Sequence, residues 1–139
     1  MRSAPLTVAF LALALAAPGF GGEGGKRPRL DLRAYPRIAF SPVNVFVTAE
    51  LKGGADVEEF HCPGLVWDWG DGSRSLRESD CPPFEEGADL ERRFTATHVY
   101  RGPGSYTVRV SLYRADRTLA VATAQVLVHG HTAGLDPGY

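Results

Sequence analysis

The sequence predicts an all-β, two-sheet antiparallel sandwich of immunoglobulin type, with about seven strands. Three observations predict it. Apolar and polar residues alternate at period two in several separate runs, the pattern of a strand with one buried face. Glycine, proline and aspartate turn signals divide those runs. No stretch carries the 3.6-residue apolar period of a helix. With 139 residues, 44% of them hydrophobic, and no internal repeat, the chain has material for one core and not for a solenoid or propeller.

Residues 2–17, RSAPLTVAFLALALAA, combine a basic start at Arg2, an uncharged apolar run from Leu6 to Ala17 and small residues at Ala14 and Ala16. That is the anatomy of a cleaved secretory signal. The run is shorter than the roughly 20 residues a bilayer-spanning helix needs, so no membrane span is expected once the signal is removed. The expected division is 1–17 signal peptide, 18–28 glycine-rich linker, 29–130 sandwich and 131–139 flexible tail. Within the sandwich, Leu30 to Leu32 and Ile38 to Phe40, parted by Tyr35-Pro36, read as a broken first strand at a sheet edge. From Val43 to Leu51, residues Val43, Val45, Val47, Ala49 and Leu51 share one face, with Asn44, Phe46, Thr48 and Glu50 on the other. Next, Leu65, Trp67 and Trp69 lie opposite Val66 and Asp68. In Leu90 to Tyr100, residues Phe94, Ala96, His98 and Tyr100 share a face. Tyr106, Val108, Val110 and Leu112 alternate with Thr107, Arg109, Ser111 and Tyr113, and Leu119 to Val128 is β-prone with an ambiguous register.

The densest stretch is Trp67-Asp68-Trp69-Gly70-Asp71-Gly72. Alternation buries both indoles, while Asp71-Gly72 suits the positive φ values of a two-residue hairpin turn. Downstream, Pro103-Gly104-Ser105-Tyr106 enters another strand, where a tyrosine commonly caps the sandwich corner through a hydroxyl-to-backbone bond. In this order, WDWGDGS from Trp67, HVY from His98 to Tyr100 and PGSYTVRVSL from Pro103 to Leu112 together resemble the PKD domain, an immunoglobulin-like module named for polycystic kidney disease. The resemblance covers roughly Arg37 to Val128. It implies an extracellular module, often appended to bacterial proteases, chitinases and surface proteins, that contacts proteins or polysaccharides and has no catalysis of its own. The chain departs from that pattern in a longer stretch from Arg74 to Thr97, and no accompanying catalytic domain is expected within its 139 residues.

Cys62 and Cys81 are the two cysteines, and in a secreted chain such a pair reads as a disulfide. Asp71-Gly72 lies midway between them, so a hairpin turning there brings them together at its open end. The competing metal site, from His61 and the two thiolates, falls short of the usual four ligands. Charge is uneven: between Asp56 and Glu91 eleven carboxylates face Arg74 and Arg77, giving −9, and with −1 overall the rest of the chain is +8. Glu58, Glu59, Glu85, Glu86 and their neighbours are expected to gather at one end of the sandwich beside Arg92 and Arg93. There they solubilise loops, attract a basic partner or hold calcium, although their spacing matches no calcium-loop pattern.

For catalysis the sequence offers little. No G-x-S-x-G is present, Asp68 and Asp71 lack a cleft for glycoside chemistry, and His98 reads as a structural hydrogen-bonding residue. His129 and His131 suit a tail better than a metal site. Dispersed basic residues argue against nucleic acid, and no cofactor is implied. The function expected is that of a secreted or periplasmic, non-catalytic interaction module for a surface protein, matrix component or polysaccharide, with Phe46, Tyr113 and the acidic loops as contacts. The alternatives are a structural accessory subunit of a cell-envelope assembly and a calcium-binding adhesion-type domain.

Overall fold

The computed structural model describes residues 27–54 and 58–131. The expected signal peptide, most of the linker and nearly all of the tail lie outside the described residues. Eight strands occur among the described residues: β1 Arg29–Tyr35, β2 Ile38–Phe40, β3 Val43–Lys52, β4 Gly64–Asp68, β5 Arg74–Arg77, β6 Arg93–Tyr100, β7 Gly104–Arg114 and β8 Arg117–His129. A single 3-10 turn, Glu58–Phe60, precedes β4. The strands form a three-stranded sheet ordered β1-β3-β6 and a five-stranded sheet ordered β2-β8-β7-β4-β5.

Alternation places the core. Val45, Val47, Ala49 and Leu51 point inward from β3, Phe94 and Tyr100 from β6, Val108, Val110 and Leu112 from β7, and Leu65 and Trp67 from β4. The two inner faces meet along these rows, and water is excluded from between them. The expected sandwich is therefore present, with three differences. The broken first strand divides between the sheets: β1 is an edge of the three-stranded sheet, whereas β2 crosses over at Pro36 and becomes an edge of the five-stranded sheet. There β2 pairs with β8 in parallel, Ile38 opposite Leu127, so the pairing is antiparallel everywhere but at that edge. The third difference is β5, whose four residues are all exposed. With no buried row it carries no alternation to read, and only its partner β4 marks it as a strand.

Pro28, at the expected linker's end, is buried, and Arg27 donates to the Leu119 carbonyl at 2.9 Å.

Candidate functional site

The β4–β5 hairpin carries the densest chemistry. Asp68 pairs with Arg74 in the ladder, so the loop is the five residues 69–73 centred on Asp71, half a residue before the midpoint of the two-residue turn expected at Asp71-Gly72. The positive φ values fall on Gly70 at 79° and Gly72 at 90°, and Asp71 is spared a backbone conformation costly for a side chain. The loop is closed from inside: the Trp69 amide donates to the Ser73 carbonyl at 3.2 Å, and the Gly70 amide donates to Asp68 Oδ1 at 3.0 Å. Gly70 also lies against β7, where a Cβ would stand 2.6 Å from the Thr107 carbonyl oxygen. No other residue type fits that approach without displacing backbone.

Trp69, though in the loop, is as buried as the core strands, and an aromatic series starts from it that crosses between the sheets. Trp67 stacks on Trp69 with ring centroids 5.9 Å apart, Trp69 on His98 at 4.6 Å, His98 meets Tyr100 edge-on at 4.8 Å, and Tyr100 stacks on Tyr106 at 4.2 Å. Polar atoms along the series are satisfied. Trp69 Nε1 donates to Ser75 Oγ at 2.9 Å, the Tyr100 hydroxyl donates to the Trp69 carbonyl at 2.6 Å, and the Tyr106 hydroxyl donates to the Gly102 carbonyl at 2.7 Å. Tyr106 is the expected corner tyrosine, its ring lying close over Gly104, while Pro103 packs near Gly130. Burial is the main reason the Tyr100 hydroxyl is held far above the usual phenol range, and the nearby Asp71 charge adds to it.

Asp71, Ser73 and His98 converge on this series. His98 Nε2 lies 2.6 Å from Asp71 Oδ2, and the Ser73 amide and hydroxyl both donate to Asp71 Oδ1. Partial burial opposes ionisation of Asp71. The hydrogen bonds from Ser73 and His98 outweigh it and bring the carboxyl down to about 2. An ionised carboxylate only accepts, so Nε2 carries the hydrogen of this bond. That wiring differs from a serine-hydrolase triad. There serine and aspartate address opposite ring nitrogens; here Ser73 Oγ lies 3.4 Å from the same Nε2 that Asp71 occupies, and its proton points to Asp71. The trio ties the hairpin to β6 and leaves no base free to activate the hydroxyl.

Cys62 and Cys81 are joined by a disulfide, with Cα atoms 6.1 Å apart. The ladder ends at Leu65 and Arg77, so the bridge clamps two irregular segments beyond it, aided by Ser79 Oγ donating to the Cys62 carbonyl and His61 Nε2 lying 2.7 Å from the Pro82 carbonyl oxygen. Among the described residues, Glu58, Glu59 and Glu91 find arginines other than Arg92 and Arg93. Glu58 and Glu59 turn to Arg114 and Arg117 across the β7–β8 turn, and Glu91 to Arg77. Arg93 reaches Glu50 at 2.8 Å, and Arg92 Nη1 donates to the Gly53 carbonyl at 2.8 Å. The reason is topology: the 3-10 turn sets Glu58 and Glu59 beside the β7–β8 turn. Glu85 and Glu86 are exposed in the loop before β6. Among the described residues no group of three or more His, Cys, Asp or Glu side chains is placed to hold a metal ion.

Of the two aromatic contacts expected, Phe46 is exposed on the outer face of the three-stranded sheet. Tyr113 is half-buried instead, because its ring lies down over Gly64, its cross-strand partner, where a Cβ would collide with it. Sequence reasoning missed what Tyr113 belongs to. It lines an open concavity of about 470 Å³ on the outer face of the five-stranded sheet, with Val66, Leu76, Arg109, Ser111 and Asp116 among the walls. Asp68 is held there by Arg74 at 3.3 Å, whereas no carboxylate within 4 Å engages Arg109 among the described residues. The outward row of β4 and β7 was visible as alternation, but that β5 adds a wall was not.

The fold has solved counterparts. A PKD domain of an M14-like peptidase from a Thermoplasmatales archaeon superposes with a TM-score of 0.50 at 15% identity, covering 73% of this chain and 94% of that one. The chain has a PKD-like immunoglobulin-type fold. A second similar structure is the CARDB domain of the PF1109 protein from Pyrococcus furiosus, solved in complex with di-metal ions, with a TM-score of 0.48 at 10% identity over 74% of this chain and 90% of that one. No family model matches the PKD-like chain, and no curated protein matches it. At 15% identity to the peptidase's PKD domain the sandwich is shared while surface residues are free to differ, so the outer faces are this chain's own.

Proposed function

We propose that this PKD-like domain is an extracellular, non-catalytic interaction module that binds a surface protein, matrix component or polysaccharide. One observation carries the reading: the concavity over β5, β4 and β7, where the half-buried Tyr113 ring stands beside the Arg109 guanidinium, which has no carboxylate within 4 Å among the described residues. Aromatic and arginine side chains supply most of the energy at interfaces, because each offers large contact area or several donors for few rotatable bonds. The hairpin beneath is fixed by the Asp71, Ser73 and His98 contacts, so binding need not order it first. The spent Ser73 hydroxyl supports the absence of catalysis, and the disulfide agrees with an oxidising compartment.

Retention of the chain on a panel of cell-surface proteins, matrix components and polysaccharides tests the reading. A ligand retained by the native chain and weakened about tenfold or more by Arg109→Ala or Tyr113→Leu supports it. Failure to retain any member of the panel, or retention indifferent to both substitutions, overturns it.

A further inference from the structure

Exposed apolar side chains are unevenly spread. Tyr35, Ile38, Phe40, Phe46, Val99 and Leu127 are six of the eight large hydrophobic residues exposed among the described residues, and the strand registers put all six at one end. Tyr35 is opposite Phe46, Val99 opposite Asn44, Ile38 opposite Leu127 and Phe40 opposite His129. That end is closed by the Ser41-Pro42 turn, whose Ser41 amide donates to the His129 carbonyl at 2.8 Å. The most open are Tyr35, 78% exposed, Ile38, 66%, and Phe40, 59%.

Charge follows the same axis. Beside this apolar end, between β1 and β8, a cleft of about 420 Å³ is lined by Leu32, Arg33, Ala34, Arg37, Ala124 and Gln125. It has two guanidinium groups and no carboxylate. Arg33, Arg37 and nearby Arg101 have no carboxylate within 4 Å among the described residues. Asp31 and Glu50, the acidic residues nearest Arg33, lie two residues along the same face of β1 and β3 and are engaged by Lys52 and Arg93. Glu58 and Glu59, beside Arg114 and Arg117 of the β7–β8 turn, and Glu91, beside Arg77, lie toward the opposite end.

We propose that this end docks on an anionic lipid surface, with a headgroup phosphate seated between Arg33 and Arg37 while Tyr35, Ile38 and Phe40 enter the interface. Arginine pairs well with phosphate through its fork of donors, and a molecule basic at one end and acidic at the other orients itself in the field of an anionic membrane. Lipid fits better than a rigid partner because the apolar residues ring the end on two outward faces. A flat macromolecule meets one face at a time, whereas a deformable interface takes both, with aromatic rings at the headgroup level.

The test uses the full chain with Phe40→Trp or, as the far-end control, Glu85→Trp, mixed with phosphatidylcholine vesicles containing about one-third phosphatidylglycerol, or none. Both substitutions are at exposed positions, and thermal melting checks that each variant is folded. The apolar run from Leu6 to Ala17 is common to both, so the contrast between positions 40 and 85 reads the sandwich alone. The indole introduced by Phe40→Trp is expected to shift blue and be quenched by brominated acyl chains on anionic vesicles only, with no change for Glu85→Trp. Arg37→Gln and Arg101→Gln should each weaken the partition about fivefold, and about 0.5 M salt should abolish it. Equal responses at both positions, or none at position 40, overturn the proposal. So does saturation of the cleft by inorganic phosphate without vesicle binding, and so does a dimer dispersed by Phe40→Asp that ignores vesicles.

Discussion

Two glycines two positions apart separate conformational strain from steric exclusion. Gly72 has a φ of 90° with open space where a Cβ would be, while Gly70 has a φ of 79° and the Thr107 backbone in the way. Gly72→Ala should therefore cost only the left-handed backbone, about 1 kcal/mol. Gly70→Ala adds displacement of β7 and should cost about 3 kcal/mol or more. Urea denaturation of the two variants checks the difference, and equal costs would mean that β7 yields freely. Asp71 gives a second prediction at this scale. Its carboxyl is held at about 2, below the ordinary 3.8, so the native state favours the ionised form. The stability this supplies is fully present above about pH 4 and is lost as the pH falls toward 2. With the side chain 25% exposed, solvent screening reduces the amount to about 1 kcal/mol. Asp71→Asn should flatten the acid limb of stability against pH between about 4 and 2, measured by chemical denaturation at each pH.

Among the elements, legibility followed burial. β3 and β7 each bury one face against the opposite sheet, so their sequences alternate and both were placed by pattern alone. β5 buries nothing, so the return arm that the hairpin turn implies carries no alternation to place it, and the concavity that it walls is not legible in the sequence. The hairpin was half legible. Its indoles face inward as expected, but Asp-Gly is a turn signal that does not specify loop length, and glycine on both sides of Asp71 allows the turn to centre half a residue earlier, on Asp71 itself. That shift puts Asp71 within reach of His98, a contact across 27 residues that no local pattern encodes. The cysteine pair was read from compartment and spacing, and its effect belongs to the element it clamps. The bridge spans 19 positions, so its removal by Cys62→Ser with Cys81→Ser should cost about 3 kcal/mol through the freed unfolded chain. Calorimetry should find the double variant still folded with a lower melting temperature, and an unchanged one would place the constraint elsewhere.

Across the whole molecule, two kinds of interaction compete to explain why the sheets stay together. The ion pairs form a visible grid, from Lys52 with Asp31 and Arg93 with Glu50 on one face to Arg74 with Asp68 on the other. Their partners are substantially exposed, and such pairs contribute between nothing and about 1 kcal/mol each while paying side-chain entropy. The inner rows differ, since Val45, Val47, Val108 and Val110 have no solvent contact at all. Deleting two methyl groups there loses transfer free energy and leaves a void that close packing cannot refill. Val110→Ala alone should therefore cost about 2 kcal/mol. Screening every surface pair at once with about 0.5 M sodium chloride should change stability by less than about 1 kcal/mol. Guanidinium chloride would mask the contrast by acting as a salt, so the comparison is made by urea denaturation with and without sodium chloride. A larger loss from salt than from the valine would reassign the main cohesion of the sandwich from its core to its surface charges.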